Sequence, residues 1–152
     1  MLQGAALWMG GLALMTSAQP SLAHPHVFID TRIEVAFDAT GLATGIRVTW
    51  TYDAFYALII IEERGLDADG NGALTEAERA SLAGFDMDWA PDYPGDTYVF
   101  LDDVPLRLSR PSEFTADVAD GRIVSSHLRR LDPPLRPDAA ALVVRSYDPG
   151  YY

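Results

Sequence analysis

The chain has 152 residues, with 22 acidic side chains against 11 basic ones and no cysteine. That length suits one domain able to close its own core, and a hydrophobic content of 49% is too high for a disordered segment, which cannot offset the entropy of ordering. A formal charge of −11 disfavours nucleic acid and anionic membrane surfaces and suits a protein that concentrates cations. Without cysteine there is no thiolate nucleophile, Cys-type zinc site, iron–sulfur cluster or disulfide framework. A bound transition metal must then be held by imidazole nitrogen and carboxylate oxygen.

Met1 to Ala23 carries no charged side chain, and Leu7 to Met15 forms an apolar core too short for a confident membrane span. Ser21-Leu22-Ala23 then places small residues where a signal peptidase reads them. Residues 1–23 are therefore expected to be a signal peptide, leaving an exported chain without a stable membrane span after cleavage. No Lys or Arg precedes the apolar core, which implies a weak signal or a start upstream of Met1. A buried N-terminal helix is the competing reading.

Residues 24–152 are expected to form a single β-rich domain. Val27 to Asp38 alternates, with Val27, Ile29, Ile33, Val35 and Phe37 on one face and Asp30, Arg32, Glu34 and Asp38 on the other, as in a half-buried strand. Asp38-Ala39-Thr40-Gly41 is a turn. Leu42 to Tyr52 alternates again through Ile46, Val48, Trp50 and Tyr52, so the two runs predict an antiparallel hairpin. Ala54 to Leu66 has the length of a helix, and the capping box Thr75-Glu76-Ala77-Glu78 opens a shorter one ending near Gly84. Asp86 to Gly95 is acidic, aromatic and broken by proline, hence a loop. Further strands are predicted at Thr97–Leu101, Pro105–Ser109, Phe114–Val118, Arg122–Arg130 and Ala140–Tyr147. The fold class is α+β, a mainly antiparallel β-sheet or sandwich with an inserted helix–EF-hand loop–helix at about 54–84. Asp148-Pro149-Gly150-Tyr151-Tyr152 looks like a turn opening another apolar run, which suggests C-terminal truncation and a last strand short of a partner.

Two constellations carry chemistry. Asp67-Ala68-Asp69-Gly70-Asn71-Gly72-Ala73-Leu74-Thr75-Glu76-Ala77-Glu78 matches the calcium loop D-x-[DN]-x-[DN]-G-x5-E at every specified position. Ca²⁺ takes about seven oxygens near 2.4 Å, and alternate residues of a tightly turning loop point theirs inward. Asp67, Asp69 and Asn71 would supply side-chain oxygens, Ala73 a backbone carbonyl, Thr75 a direct or water-borne contact and Glu78 both carboxylate oxygens. Gly72 permits the sharp turn, and Leu74 should anchor the loop in the core. EF-hands generally pair and no second loop is present, so the site should bind weakly and act structurally. An Asp/Asn/Gly-rich surface turn is the alternative.

The second constellation is histidine. Cleavage after Ala23 would expose His24-Pro25-His26, giving His24 an imidazole and a free α-amine on one residue. His26, two residues on, points to the same side of an extended chain. Pro25 lacks the amide N–H that the usual amino-terminal copper motif deprotonates, so an amine-plus-imidazole chelate is what remains. Such nitrogen ligands suit Cu²⁺, Ni²⁺, Co²⁺ or Zn²⁺. His127, in a predicted strand, offers a third nitrogen, against the plainer alternative of a hydrogen-bonded strand histidine. For His24 and His26 the alternative is a solvated terminus.

The remaining features point to no catalysis. Ser125-Ser126-His127 is adjacency without a nucleophile elbow. Asp86, Asp88, Asp92, Asp96, Asp102 and Asp103 fit a solvated acidic loop better than a glycosidase pair. Trp89, Tyr93, Tyr98 and Phe100 fit packing better than a sugar platform. Arg129-Arg130 and Arg136 form a mildly basic, solvated patch. No catalytic residue and no enzyme activity are expected.

Ala23-His24-Pro25-His26-Val27-Phe28-Ile29-Asp30, with Trp50-Thr51-Tyr52-Asp53, the loop Leu66 to Gly72, and Tyr147-Asp148-Pro149, resembles the DUF1007 family of exported bacterial proteins. The resemblance covers essentially everything after the signal segment, and members usually run longer. It implies a periplasmic accessory component of metal transport, working beside an inner-membrane permease of the nickel/cobalt or zinc type. The expected function is therefore divalent transition-metal uptake or handling, with a structural calcium site. The alternative is an exported calcium-binding interaction module without a transition-metal role.

Overall fold

A computed structural model describes residues 27–137 and 140–150. Residues 1–23, expected to be a signal peptide, and His24 and His26 lie outside the described residues. The first two strands, β1 (Ile29–Phe37) and β2 (Ala43–Tyr52), pair antiparallel from Ile29↔Tyr52 to Phe37↔Ala43. Their turn is closed by Asp38, whose Oδ1 accepts hydrogen bonds from the Thr40 hydroxyl, the Thr40 N–H and the Leu42 N–H at 2.7–3.0 Å. These bonds, the Thr40 hydroxyl foremost, hold its carboxyl below the usual carboxylate range.

Helix α1 (Ala54–Arg64) starts because Asp53 caps it, accepting the Tyr56 N–H at 2.9 Å, and ends at Gly65 in left-handed backbone at φ 62°. The second Asp53 oxygen accepts the Phe28 N–H at 2.8 Å, which ties the helix start to the entry of β1. Helix α2 (Glu76–Leu82) opens on the Thr75–Glu78 capping box that the sequence announces. Five strands follow: β3 (Thr97–Leu101), β4 (Val104–Leu106), β5 (Ser112–Ala119), β6 (Arg122–Leu135) and β7 (Leu142–Ser146).

The strands form two sheets, ordered β1-β2-β6-β5 and β4-β3-β7, and every pairing is antiparallel. Among the described residues the fold is thus mostly antiparallel sheet with two short helices, compatible with the α+β class expected. One face of the larger sheet carries the core, through Ile46, Val48, Trp50 and Tyr52 of β2 and Ile123 of β6. Leu82 of α2, Leu74, Trp89 and Val99 of β3 complete the same buried cluster. Alternation on β2 therefore predicts burial correctly, whereas of the apolar face expected at β1, on the sheet's edge, only Ile33 and Val35 are partly covered and Val27, Ile29 and Phe37 stay exposed.

Three expectations need correction. Strand β6 continues past Arg130 through Pro133 and Pro134 to Leu135, because a register irregularity opposite Ala43 and Gly45 takes those residues out of the regular ladder. The last strand is not short of a partner: β7 pairs with β3 from Leu101↔Leu142 to Thr97↔Ser146. Arg129 is not on a solvated basic face. It is 7% exposed, with its guanidinium packed 5.3 Å over the Trp89 ring and donating to the carbonyl oxygens of Ser109 and Pro94. Among the described residues no helix is long and apolar enough to cross a membrane.

Candidate functional site

The loop joining α1 to α2 is held by its own acidic side chains. Asp67 Oδ1 accepts the Asn71 N–H at 2.9 Å and Oδ2 the Gly72 N–H at 3.0 Å. Asp69 Oδ2 accepts the Asn71 amide at 2.7 Å, and Asn71 Oδ1 accepts the Ala73 N–H at 2.8 Å. Gly72 takes φ 79°, a left-handed value that a β-carbon would strain. Glu78 closes the loop from the helix side: Oε1 accepts the Asp67 N–H and Oε2 the Thr75 N–H, both at 2.8 Å. The Thr75 hydroxyl bond contributes most to holding the Glu78 carboxyl below its ordinary range. Leu74, 4% exposed, plugs the loop into the core as its position predicts.

Of the six expected calcium donors, Asp67, Asp69, Asn71 and Ala73 lie in the loop, Thr75 caps α2 and Glu78 stands in its first turn. The donor set is entirely oxygen, which fits a hard divalent cation. Their side-chain oxygens face loop N–H and hydroxyl groups rather than a common point. Among the described residues no three His, Asp or Glu side chains form a group able to hold a metal.

His127 sits elsewhere, on the core face of β6 opposite Val48. It is 0% exposed, its ring edge-on to Trp50 at 5.0 Å and to Trp89 at 5.3 Å between centroids. Neither ring nitrogen has a hydrogen-bond partner among the described residues. Burial, then the charges of Arg129 and Arg47, pushes its pKa down to about 4. The histidine is a neutral member of an aromatic core.

The segment around Trp89 holds residues whose role sequence reasoning missed. Asp86 is no solvated loop carboxylate: its Oδ2 accepts the Tyr52 hydroxyl at 2.7 Å and the Ser125 hydroxyl at 2.6 Å, joining β2 and β6. Burial, reinforced by the neighbouring Asp86 charge, pushes the Tyr52 phenol upward, so it stays a donor. Trp89 donates its indole N–H to the Asp86 carbonyl at 2.7 Å, while Arg110 donates to the carbonyls of Trp89 and Ala90 at 2.8 and 3.0 Å. The aromatic and acidic richness of 86–96 was the available signal, but solvated loops share that composition.

The model of a family described as "Protein of unknown function (DUF1007)" matches residues 9–152. The chain belongs to the DUF1007 family. The match covers the hairpin, both helices with their loop, and both sheets, in line with the resemblance carried by the Ala23–Asp30 and Asp67–Gly72 segments. No curated protein and no solved structure matches this DUF1007 chain.

Proposed function

We propose that this DUF1007 protein is an exported, periplasmic metal-binding accessory protein that handles a divalent transition metal, with the Asp67–Glu78 loop as its structural calcium site of EF-hand type. The observation that carries the calcium half is the loop itself. It carries five of the six oxygen donors between two helices and the sixth, Glu78, in the first turn of α2, which reaches back to the Asp67 N–H. Ion binding would exchange the Glu78 bonds to Asp67 and Thr75 for both oxygens on Ca²⁺, and would neutralise Asp67, Asp69 and Glu78. That exchange has a cost, which agrees with weak, near-millimolar affinity for an unpaired loop. The transition-metal half is proposed on His24 and His26, supported by the His-Pro-His order and the net charge of −11. His127 is better read as core packing. The metal, Zn²⁺, Ni²⁺, Co²⁺ or Cu²⁺, would pass to an inner-membrane permease, and no catalysis is proposed.

Titration calorimetry on the mature protein and two variants tests both halves. Calcium at about ten times its Kd should stabilise by about 1.4 kcal/mol and raise Tm by about 3–6 °C. Glu78→Gln should lose at least about tenfold in calcium affinity, since it removes a bidentate carboxylate. A His24→Ala/His26→Ala protein should keep its calcium response and lose at least about tenfold in transition-metal affinity. Equal transition-metal affinities for wild type and that variant would refute the histidine site, and a Tm indifferent to calcium would refute the loop site.

A second reading is favoured by one observation. Phe55 and Leu58 of α1, the helix that leads into the loop, are 62% and 60% exposed. An exported calcium-binding interaction module would use such a face and would respond to calcium while ignoring transition metals.

A further inference from the structure

A cavity of about 470 Å³ opens between the core face of β1 and β2, the 86–96 loop and the end of β7. Its volume falls in the range of small-molecule sites, about 300–1,000 Å³. Five aromatic side chains line it: Trp50, Tyr52, Trp89, Tyr93 and Tyr147. Three carboxylates, Asp86, Asp96 and Asp148, join them, and among the described residues no Lys, Arg or His does. Negative charge gathered against aromatic faces is the complement of a positively charged ligand.

The walls are already set. Trp89 is held by Arg110 and Arg129, whose guanidinium carbons lie 5.8 and 5.3 Å from its ring centroid. Tyr147 stacks on Tyr98 at 4.6 Å and donates its N–H to the Asp96 carbonyl at 3.0 Å. Asp96 accepts the Tyr93 hydroxyl at 2.7 Å, and Asp86 is anchored through Oδ2. Asp86 Oδ1 is buried and meets no donor among the described residues, an acceptor deficit that a bound donor would relieve. Burial, and the charge of Asp148 as a lesser cause, lifts the Asp96 carboxyl above its ordinary value, so the two acids sense one another across the site.

These features discriminate among ligands. Three carboxylates repel an anion. A bare divalent ion needs several oxygens converging at about 2.0–2.6 Å, and no such group exists among the described residues. An organic ammonium ion meets both halves of the wall, with its charge on the carboxylates and its body on the indoles.

We propose that this cavity binds an organic ammonium ion, a primary amine with an apolar or aromatic body, its charged head held by Asp96 and Asp148 and its body against Trp50 and Trp89. The site goes beyond the metal-handling reading and uses none of its residues.

Tryptophan fluorescence of the full chain, titrated with phenethylammonium, 2-phenylethanol and phenylacetate, tests the proposal. Saturable binding of the amine is expected below about 10 mM, with the alcohol at least about tenfold weaker and the carboxylate silent. Asp148→Asn, at an exposed position that threatens no packing, should weaken the amine about fivefold or more, and Asp96→Asn likewise. Amine and alcohol binding equally would overturn the proposal, as would no saturation by the amine or wild-type affinity in both variants. Zn²⁺ or Ni²⁺ binding abolished by Asp148→Asn, in a protein that ignores the amine, would also overturn it. None of these outcomes touches the histidine site, which is read from His24→Ala/His26→Ala.

Discussion

Trp89→Ala is expected to destabilise the protein by about 3–5 kcal/mol, enough to unfold much of a marginally stable domain. The indole is 8% exposed and lies 5.9 Å from Trp50, 5.3 Å from His127 and 5.2 Å from Tyr93 between ring centroids. Its removal opens a cavity beneath the 86–96 loop and strips Arg129, itself 7% exposed, of its aromatic platform. Gly95 shows how closely the ring is fitted. A β-carbon there would overlap the six-membered ring of Trp89, and the glycine also holds φ 66°. Urea unfolding followed by circular dichroism measures the effect. A Trp89→Phe variant, which keeps most of the volume but loses the indole bond to the Asp86 carbonyl, should fall between the two. A loss below about 1 kcal/mol for Trp89→Ala would mean the segment is peripheral rather than part of the core.

The second large effect is acid sensitivity through His127. Unfolded, its imidazole takes a proton near 6.5; folded, it resists protonation until about 4. Between those values the unfolded state binds more protons, so stability is full above about 6.5 and falls as pH drops toward 4. The accumulated loss is about 3 kcal/mol. Other groups act elsewhere or oppositely. Asp38, Asp53 and Glu78, all depressed, lose their contributions as pH falls through the carboxylate range, whereas Asp96, raised, gains there. His127→Leu removes the histidine step while filling the same space, and replacing an unpaired buried polar group by an apolar one of similar size is near neutral or favourable. Unfolding free energies at several pH values between 7.5 and 4.5 should show a clear slope for wild type and a much flatter one for the variant. Parallel slopes would remove His127 from the account.

Much of this fold is legible because its signals are local. The β1–β2 hairpin follows from strict alternation and from an Asp-Ala-Thr-Gly turn whose aspartate finds donors two and four residues away. The second helix follows from a capping box, and Leu74 in the core from its place in the calcium-type loop. What escaped depends on partners distant in the chain. Ile123, Ser125, His127 and Arg129 share the core face of β6, but three of the four are polar, so no hydropathy pattern marks that face as interior. Arg129 is buried because carbonyls of Ser109 and Pro94 and the Trp89 ring receive it, and none of these is near it in sequence. Asp86 was indistinguishable from its solvated acidic neighbours until Tyr52 and Ser125 met it. The cavity combines residues from Val27 to Asp148, and no window of sequence contains it. The Asp67–Glu78 loop is the opposite case: its residues are contiguous, so the turn and its hydrogen bonds are set locally, and its calcium binding is a proposal that the calcium titration tests.

Native-mode mass spectrometry of the full chain recovered after expression in a bacterium tests the proposed processing and metal binding together, because one spectrum reports both the terminus and the bound ions. A chain beginning at His24 that carries one calcium and one divalent transition metal is expected, the latter lost in the His24→Ala/His26→Ala variant. A chain that starts elsewhere, or one that starts at His24 yet holds no transition metal after exposure to Zn²⁺, Ni²⁺, Co²⁺ and Cu²⁺, would contradict the proposal.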